Sequence, residues 1–134
     1  MNSILKTFGL LLCLVANLAM GQANCLFCKI VNRQEPAKII AENADVLVFE
    51  SIRPVHPSHW IIIPKKHEPD IKSMTDASLM GNVFMAASDL GKQLDGAQAF
   101  NLQVNNGAAA GQTVFHFHVH FKSQNQLTTA TPKI

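Results

Sequence analysis

The chain has 134 residues, 48% of them apolar and 15% charged, which suits one globular domain and excludes a disordered chain. Its formal charge is +2, and no basic run exists beyond Lys65-Lys66. Long nucleic acids are therefore excluded as partners, because a polyanion needs a dense basic face; a small phosphate compound is not.

Residues 1–21 differ from the remainder. Lys6 precedes an apolar stretch from Phe8 to Ala16, and Ala19-Met20-Gly21 ends it in small residues. That is the anatomy of a secretory signal peptide cleaved before Gln22, so export to a periplasm or to the outside is expected. The alternative is an uncleaved membrane anchor over residues 7–23, short for a span and interrupted by Asn17. Residues 22–134 then form a single domain with its core in 25–122, and Cys25 and Cys28 are the two cysteines left.

Five segments read as strands. Lys38 to Ala41 is short, and Val46 to Phe49 follows an Asn43/Asp45 turn. His59 to Ile63 lies between Pro57 and Pro64, and its unbroken apolarity predicts burial on both faces. A helix follows, capped by Thr75 or Asp76, with Leu79, Val83, Ala87, Leu90 and Leu94 at helical spacing and Asp95-Gly96 closing it. Phe100 to Val104 alternates apolar and polar and ends at Asn105-Asn106-Gly107, and Val114 to Phe121 is the last strand. Strands on short turns, broken by one long helix, argue for an α+β fold with a mainly antiparallel sheet.

The last strand carries "HFHVHF", residues 116–121. Side chains two apart share a strand face, so His116, His118 and His120 point one way and Phe115, Phe117, Val119 and Phe121 the other. The outer imidazoles are about 13 Å apart at about 3.3 Å per residue, too far for three ligands on one ion. A merely solvated strand face is the plainer reading, but histidine has no special strand propensity. Upstream, "NNGAAAGQT" can offer backbone N–H groups to an anion. Imidazoles beside such a loop suggest chemistry on a phosphate. Cys25-x-x-Cys28 has metal-ligand spacing but is half a site; a disulfide or two spare thiols are the other readings.

The pattern H-φ-H-φ-H-φ resembles the motif of the histidine triad (HIT) family of nucleotide hydrolases and transferases. The likeness extends through "CLFCKIVNRQEPAKIIAENADVLVFESIRPVHPSHWIIIPKKH" and "LQVNNGAAAGQTVFHFHVHF", essentially residues 25–122. It implies a HIT-like α+β fold, a mainly antiparallel five-stranded sheet with one long helix and a short helix. The nearest branch hydrolyses nucleoside 5′-phosphoramidates or related AMP or GMP esters through a nucleotidyl-histidine. The resemblance implies that His118 is the nucleophile, that His120 and His59 attend the same phosphate, and that Thr113 contacts the leaving group. It implies nucleotide contacts from Asn105, from Gly111 and Gln112 in the tight loop, and from Ser51 and Ile52. Ser51 departs from the family, where Asp commonly grips the ribose hydroxyls, and this weakens the expected hold on the nucleoside. Zinc-bearing relatives imply that His67 and His116 complete a structural zinc site with Cys25 and Cys28; the chemistry itself needs no cofactor. The partners implied are a small nucleotide substrate and a second copy of the chain, paired through the long helix and fourth strand with Val83, Phe84 and Val104 contributing. The alternatives are a diadenosine polyphosphate hydrolase or nucleotidyltransferase, which would share these histidines, and a nucleotide- or zinc-binding module without catalysis.

Overall fold

The apolar run around Trp60 becomes the middle of the sheet, since only a central strand buries both faces. The computed structural model describes residues 24–134. Its strands are β1 (Ile39–Glu42), β2 (Val46–Glu50), β3 (Ser58–Pro64), β4 (Asn101–Gln103) and β5 (Val119–Ser123), in the order β1-β2-β3-β5-β4. Every neighbouring pair is antiparallel, and all seven residues of β3 are buried. The Asn43 side chain makes the β1–β2 turn by accepting from the N–H groups of Asp45 and Val46.

The alternation of side chains sorts this sheet into two cores. Val46, Val48, Trp60, Ile62, Val119 and Phe121 face helix α2 (Ala77–Gly91), which brings Val83, Ala87 and Leu90. Leu47, Phe49, Ile61 and Ile63 face the other way, onto Phe27 and Ile30 of the short helix α1 (Leu26–Val31). Because β3 pairs Ile61 with His120 and His59 with Lys122, the second face is also the one that carries the histidines.

Helix α2 starts as read, with the Asp76 carboxylate accepting from Leu79 N–H at 3.0 Å. It stops at Gly91, short of Asp95-Gly96. A β-carbon on Gly91 would run into the Phe100 ring, and the chain tightens there into two successive i to i+3 bonds, Gln93 to Leu90 and Leu94 to Gly91. Leu94 stays buried because it bridges to Leu127 beyond the helix.

The last strand is shorter and later than the alternation predicts. Pairing with β3 ends at Ile62–Val119, since the next partners would be Ile63 and Pro64, and proline has no N–H to give. Residues 114–118 leave the sheet, Phe117 donates its N–H to the Glu68 carbonyl, and Phe115 is 51% exposed instead of joining the core. Val83 lies within the first core with no exposure, which removes it from any surface between two copies.

The expectation of export is also corrected. A bilayer span needs about 20 apolar residues, and the longest helix among the described residues is α2 with 15. Among the described residues no helix is long and apolar enough to cross a membrane. The signal-peptide and anchor readings both rested on a segment that lies outside the described residues, so neither is retained.

Candidate functional site

The exit of residues 114–118 from the sheet separates the triad into different jobs. His116 is fully buried. Its Nδ1 lies 3.5 Å from the Sγ of both Cys25 and Cys28 and 3.3 Å from Nδ1 of His67, whose other neighbour is Cys28 Sγ at 3.2 Å. All four donor atoms fall within 4.8 Å of one another. With metal bonds of about 2.3 Å to sulfur and 2.05 Å to nitrogen, the edges of a tetrahedral zinc site come to about 3.5 Å for S···N and 3.3 Å for N···N. The four short separations, 3.2 to 3.5 Å, lie close to those edges. His116 Nε2–H donates to the Pro64 carbonyl at 2.8 Å, which leaves Nδ1 as a lone pair aimed at the cluster. The residues present therefore fit a zinc ion, which would tie α1, the segment after β3 and the approach to β5 together.

Cys25 has a second part as the N-cap of α1, its sulfur accepting from Cys28 N–H at 3.3 Å. Burial first, then the adjoining Cys25 thiol, push the Cys28 thiol up to about 12. A thiolate there needs a cation beside it.

His118 is 7% exposed and packs edge-on against Phe27, with ring centroids 5.2 Å apart. Its Nδ1–H donates to the carbonyl of His116 at 2.7 Å, so Nε2 carries the free lone pair. Burial holds its pKa below the ordinary histidine value, which keeps the ring neutral near pH 7.

His120 and His59 form a second ordered pair. Val55 N–H donates to His59 Nδ1 at 3.2 Å, which puts the His59 proton on Nε2. That proton is donated to His120 Nδ1 at 3.0 Å, and His120 in turn keeps its own proton on Nε2. The backbone of one loop thus fixes two tautomers. Burial, then His118, His59 and Lys122, pull His120 down to about 4; burial, then Lys122 and His56, lower His59. The rings of His118 and His120 are 5.1 Å apart, so a lone pair and an N–H donor sit side by side. One can attack an electrophile while the other bonds an anionic oxygen or a departing atom.

The remaining residues read from the sequence lie on the segments that follow β4 and β2. Gln103 is the cross-strand partner of His120, and Asn105 lies two residues beyond the end of β4. The Asn105 amide donates to the Ala110 carbonyl at 2.5 Å, passing close over Gly111, whose φ of 86° and missing β-carbon make room for it. Gln112 is 3% exposed and acts as a brace: Oε1 accepts from Gly107 N–H, and Nε2 donates to the carbonyls of Pro69 and Val114. The main-chain N–H groups of Gly111 and Gln112 donate within the loop, to the carbonyls of Ala108 and Gly107. Thr113 is exposed at the end of that loop. Ser51 follows β2, its N–H bonded to the His59 carbonyl and its Oγ accepting from Arg53 N–H at 3.3 Å. Ile52 beside it is 90% exposed.

A family model described as the HIT domain matches residues 32–127. The chain belongs to the HIT family. An uncharacterized HIT-like protein of Synechocystis is 39% identical over 97 residues, covering 71% of this chain and 85% of the relative. Among solved structures, a HIT family hydrolase from Legionella pneumophila superposes with a TM-score of 0.71 at 37% identity, covering 78% of this chain and 96% of that one. A zinc-bound histidine triad family protein from Mycobacterium smegmatis gives a TM-score of 0.67 at 32% identity, covering 77% and 76%.

Sequence reasoning missed three members of this HIT site. Phe27, inside the Cys-x-x-Cys, packs on both His116 and His118. The Pro64 carbonyl and the Val55 N–H set ring tautomers, and backbone groups leave no trace in residue identity. Lys122 was legible, since it continues the alternate series 116, 118, 120.

Proposed function

We propose that this HIT protein hydrolyses nucleoside 5′-phosphoramidates or related nucleotide esters at the α-phosphorus. The observation that carries the reading is the neutral His118 ring, its Nδ1 proton given to the His116 carbonyl, beside the Nε2–H of His120. In the first step the Nε2 lone pair of His118 forms a bond to phosphorus as the P–N bond of the substrate breaks. The leaving amine departs with one proton from solvent, and His118 becomes a cationic nucleotidyl-imidazole. His120 Nε2–H bonds a phosphoryl oxygen or the departing nitrogen and spreads the developing charge. In the second step water adds to phosphorus, the P–Nε2 bond breaks, the nucleoside monophosphate leaves, and the borrowed proton returns to solvent.

His59 serves by holding His120 in the tautomer that presents Nε2–H. Thr113 and Asn105 contact the phosphoryl and leaving groups, and Ser51 and Ile52 flank the nucleoside. Cys25, Cys28, His67 and His116 hold a structural zinc, a reading that the zinc-bound M. smegmatis relative supports. The partner proposed besides substrate is a second copy, since β4 is a sheet edge and Phe84, Phe100 and Leu102 are partly exposed around it.

The test is rapid quenching of the protein with adenosine 5′-phosphoramidate at pH 7, followed by peptide mass mapping. An adenylyl group on His118 supports the mechanism. Turnover without any adduct on His118, or no turnover together with ordinary AMP binding by calorimetry, would replace it with another mechanism or with a binding module.

A further inference from the structure

His59, His120 and Lys122 share one face of β3 and β5, with His59 and Lys122 directly paired. The lysine is half-buried, and its Nζ makes one side-chain hydrogen bond. It donates to Gln103 Oε1 at 2.7 Å, and Gln103 is the cross-strand partner of His120. The ammonium therefore lies toward β4, next to the cross-strand partner of His120. The hydrogen bonds run onward from it: Gln103 Nε2 donates to Asn105 Oδ1 at 3.1 Å, and Asn105 Nδ2 donates to the Ala110 carbonyl. No carboxylate among the described residues forms an ion pair with Lys122; the five ion pairs there are made by other cations.

A fixed cation beside two imidazoles, without an anion of its own, opposes their protonation, in line with the lowered values of both rings. It is compensated only when an anion enters. Ser51 follows β2 and α1 packs over β2 and β3, whereas Lys122 is on β5 with its Nζ on Gln103 of the edge strand β4. On the hydrolase reading the nucleoside lies against Ser51, which leaves the Lys122 side of the site to the departing group. We propose that Lys122 is a specificity-determining residue, which selects nucleotides whose leaving group itself bears a negative charge. The charge can be a carboxylate on an amine or a further phosphate. The inference rests on the hydrolase reading for its chemistry, but its binding arm does not.

The experiment compares wild type with Lys122→Met and Lys122→Arg. The turnover arm measures kcat/KM for the adenosine 5′-phosphoramidates of glycine and of glycinamide, which differ by one charge and almost no volume. The binding arm measures AMP and ADP by calorimetry. Wild type and Lys122→Arg are expected to favour the more negatively charged member of at least one pair by about fivefold, and Lys122→Met to bring that preference near one. A preference in the first pair identifies a carboxylate, in the second a phosphate. An equal ratio in wild type and Lys122→Met for both pairs overturns the proposal. If wild type turns over neither phosphoramidate, the hydrolase reading fails and the AMP–ADP pair alone decides on Lys122. Should Lys122→Met not fold, the wild-type preference is measured from 50 to 500 mM salt, roughly; it must shrink with ionic strength, and a constant ratio overturns the assignment.

Discussion

The carbonyl oxygen of His116 accepts the Nδ1 proton of His118 across 2.7 Å, while the ring of the same His116 faces two thiols and a third imidazole. One residue therefore belongs to both halves of the site. Whatever holds the His116 ring also holds the carbonyl that sets the tautomer of His118.

Loss of the central ring is the sharpest test of the chemistry. His118→Ala is expected to lower kcat by roughly a thousandfold or more on a phosphoramidate, with AMP affinity changed far less. Steady-state kinetics beside calorimetry reads the difference. Comparable falls in affinity and kcat would point to a binding role for the ring.

The purified protein is expected to carry about one zinc per chain by elemental analysis. Chelation, or Cys25→Ser with Cys28→Ser, should lower Tm by roughly 10 °C, which is what about 2 kcal/mol amounts to in a domain of this size. Because the His116 carbonyl is anchored through its ring, kcat should fall with the metal even though no step uses it.

Acid should act through His120, and the sign follows from its depressed value. In the unfolded chain this ring takes up a proton near the ordinary 6.5, whereas in the fold burial, then His118, His59 and Lys122, hold it down to about 4. The unfolded state thus binds more protons across that window, so stability present above 6.5 is lost as the pH falls toward 4. Denaturation midpoints measured from pH 7 to 4 should drop, and less steeply in His120→Asn. The acid limb of kcat should lie below the ordinary histidine range.

Gln112 makes three hydrogen bonds from a buried amide, to Gly107, Pro69 and Val114. Gln112→Ala strands those groups and should cost about 2–3 kcal/mol in urea unfolding. The loop that carries Thr113 loses its brace, so KM should rise as well. A change in neither would mean that the loop is held by its backbone bonds alone.

Gly91 has the Phe100 ring where a side chain would begin. Gly91→Ala is expected to destabilise by about 1–3 kcal/mol through overpacking. Adding Phe100→Leu should recover part of that loss, and urea unfolding of the four proteins in this cycle measures the coupling.

Periodicity made the two-sided burial of β3 and a helix start at Thr75 or Asp76 legible, and the spacing of His116, His118 and His120 carried the resemblance to the HIT family. Burial periodicity and residue spacing are local properties of a chain. Export could not be read reliably in that way, because it rested on composition in a segment outside the described fold. It took the folded chain to show that Gln112 braces the loop, that β5 begins at Val119, and that the donor atoms of Cys25, Cys28, His67 and His116 gather within 4.8 Å of one another. The fold also decided which nitrogen of His118, His120 and His59 bears the proton. Those facts depend on main-chain groups of Pro64, Val55 and His116, which are identical in every residue and acquire meaning only once the fold aims them.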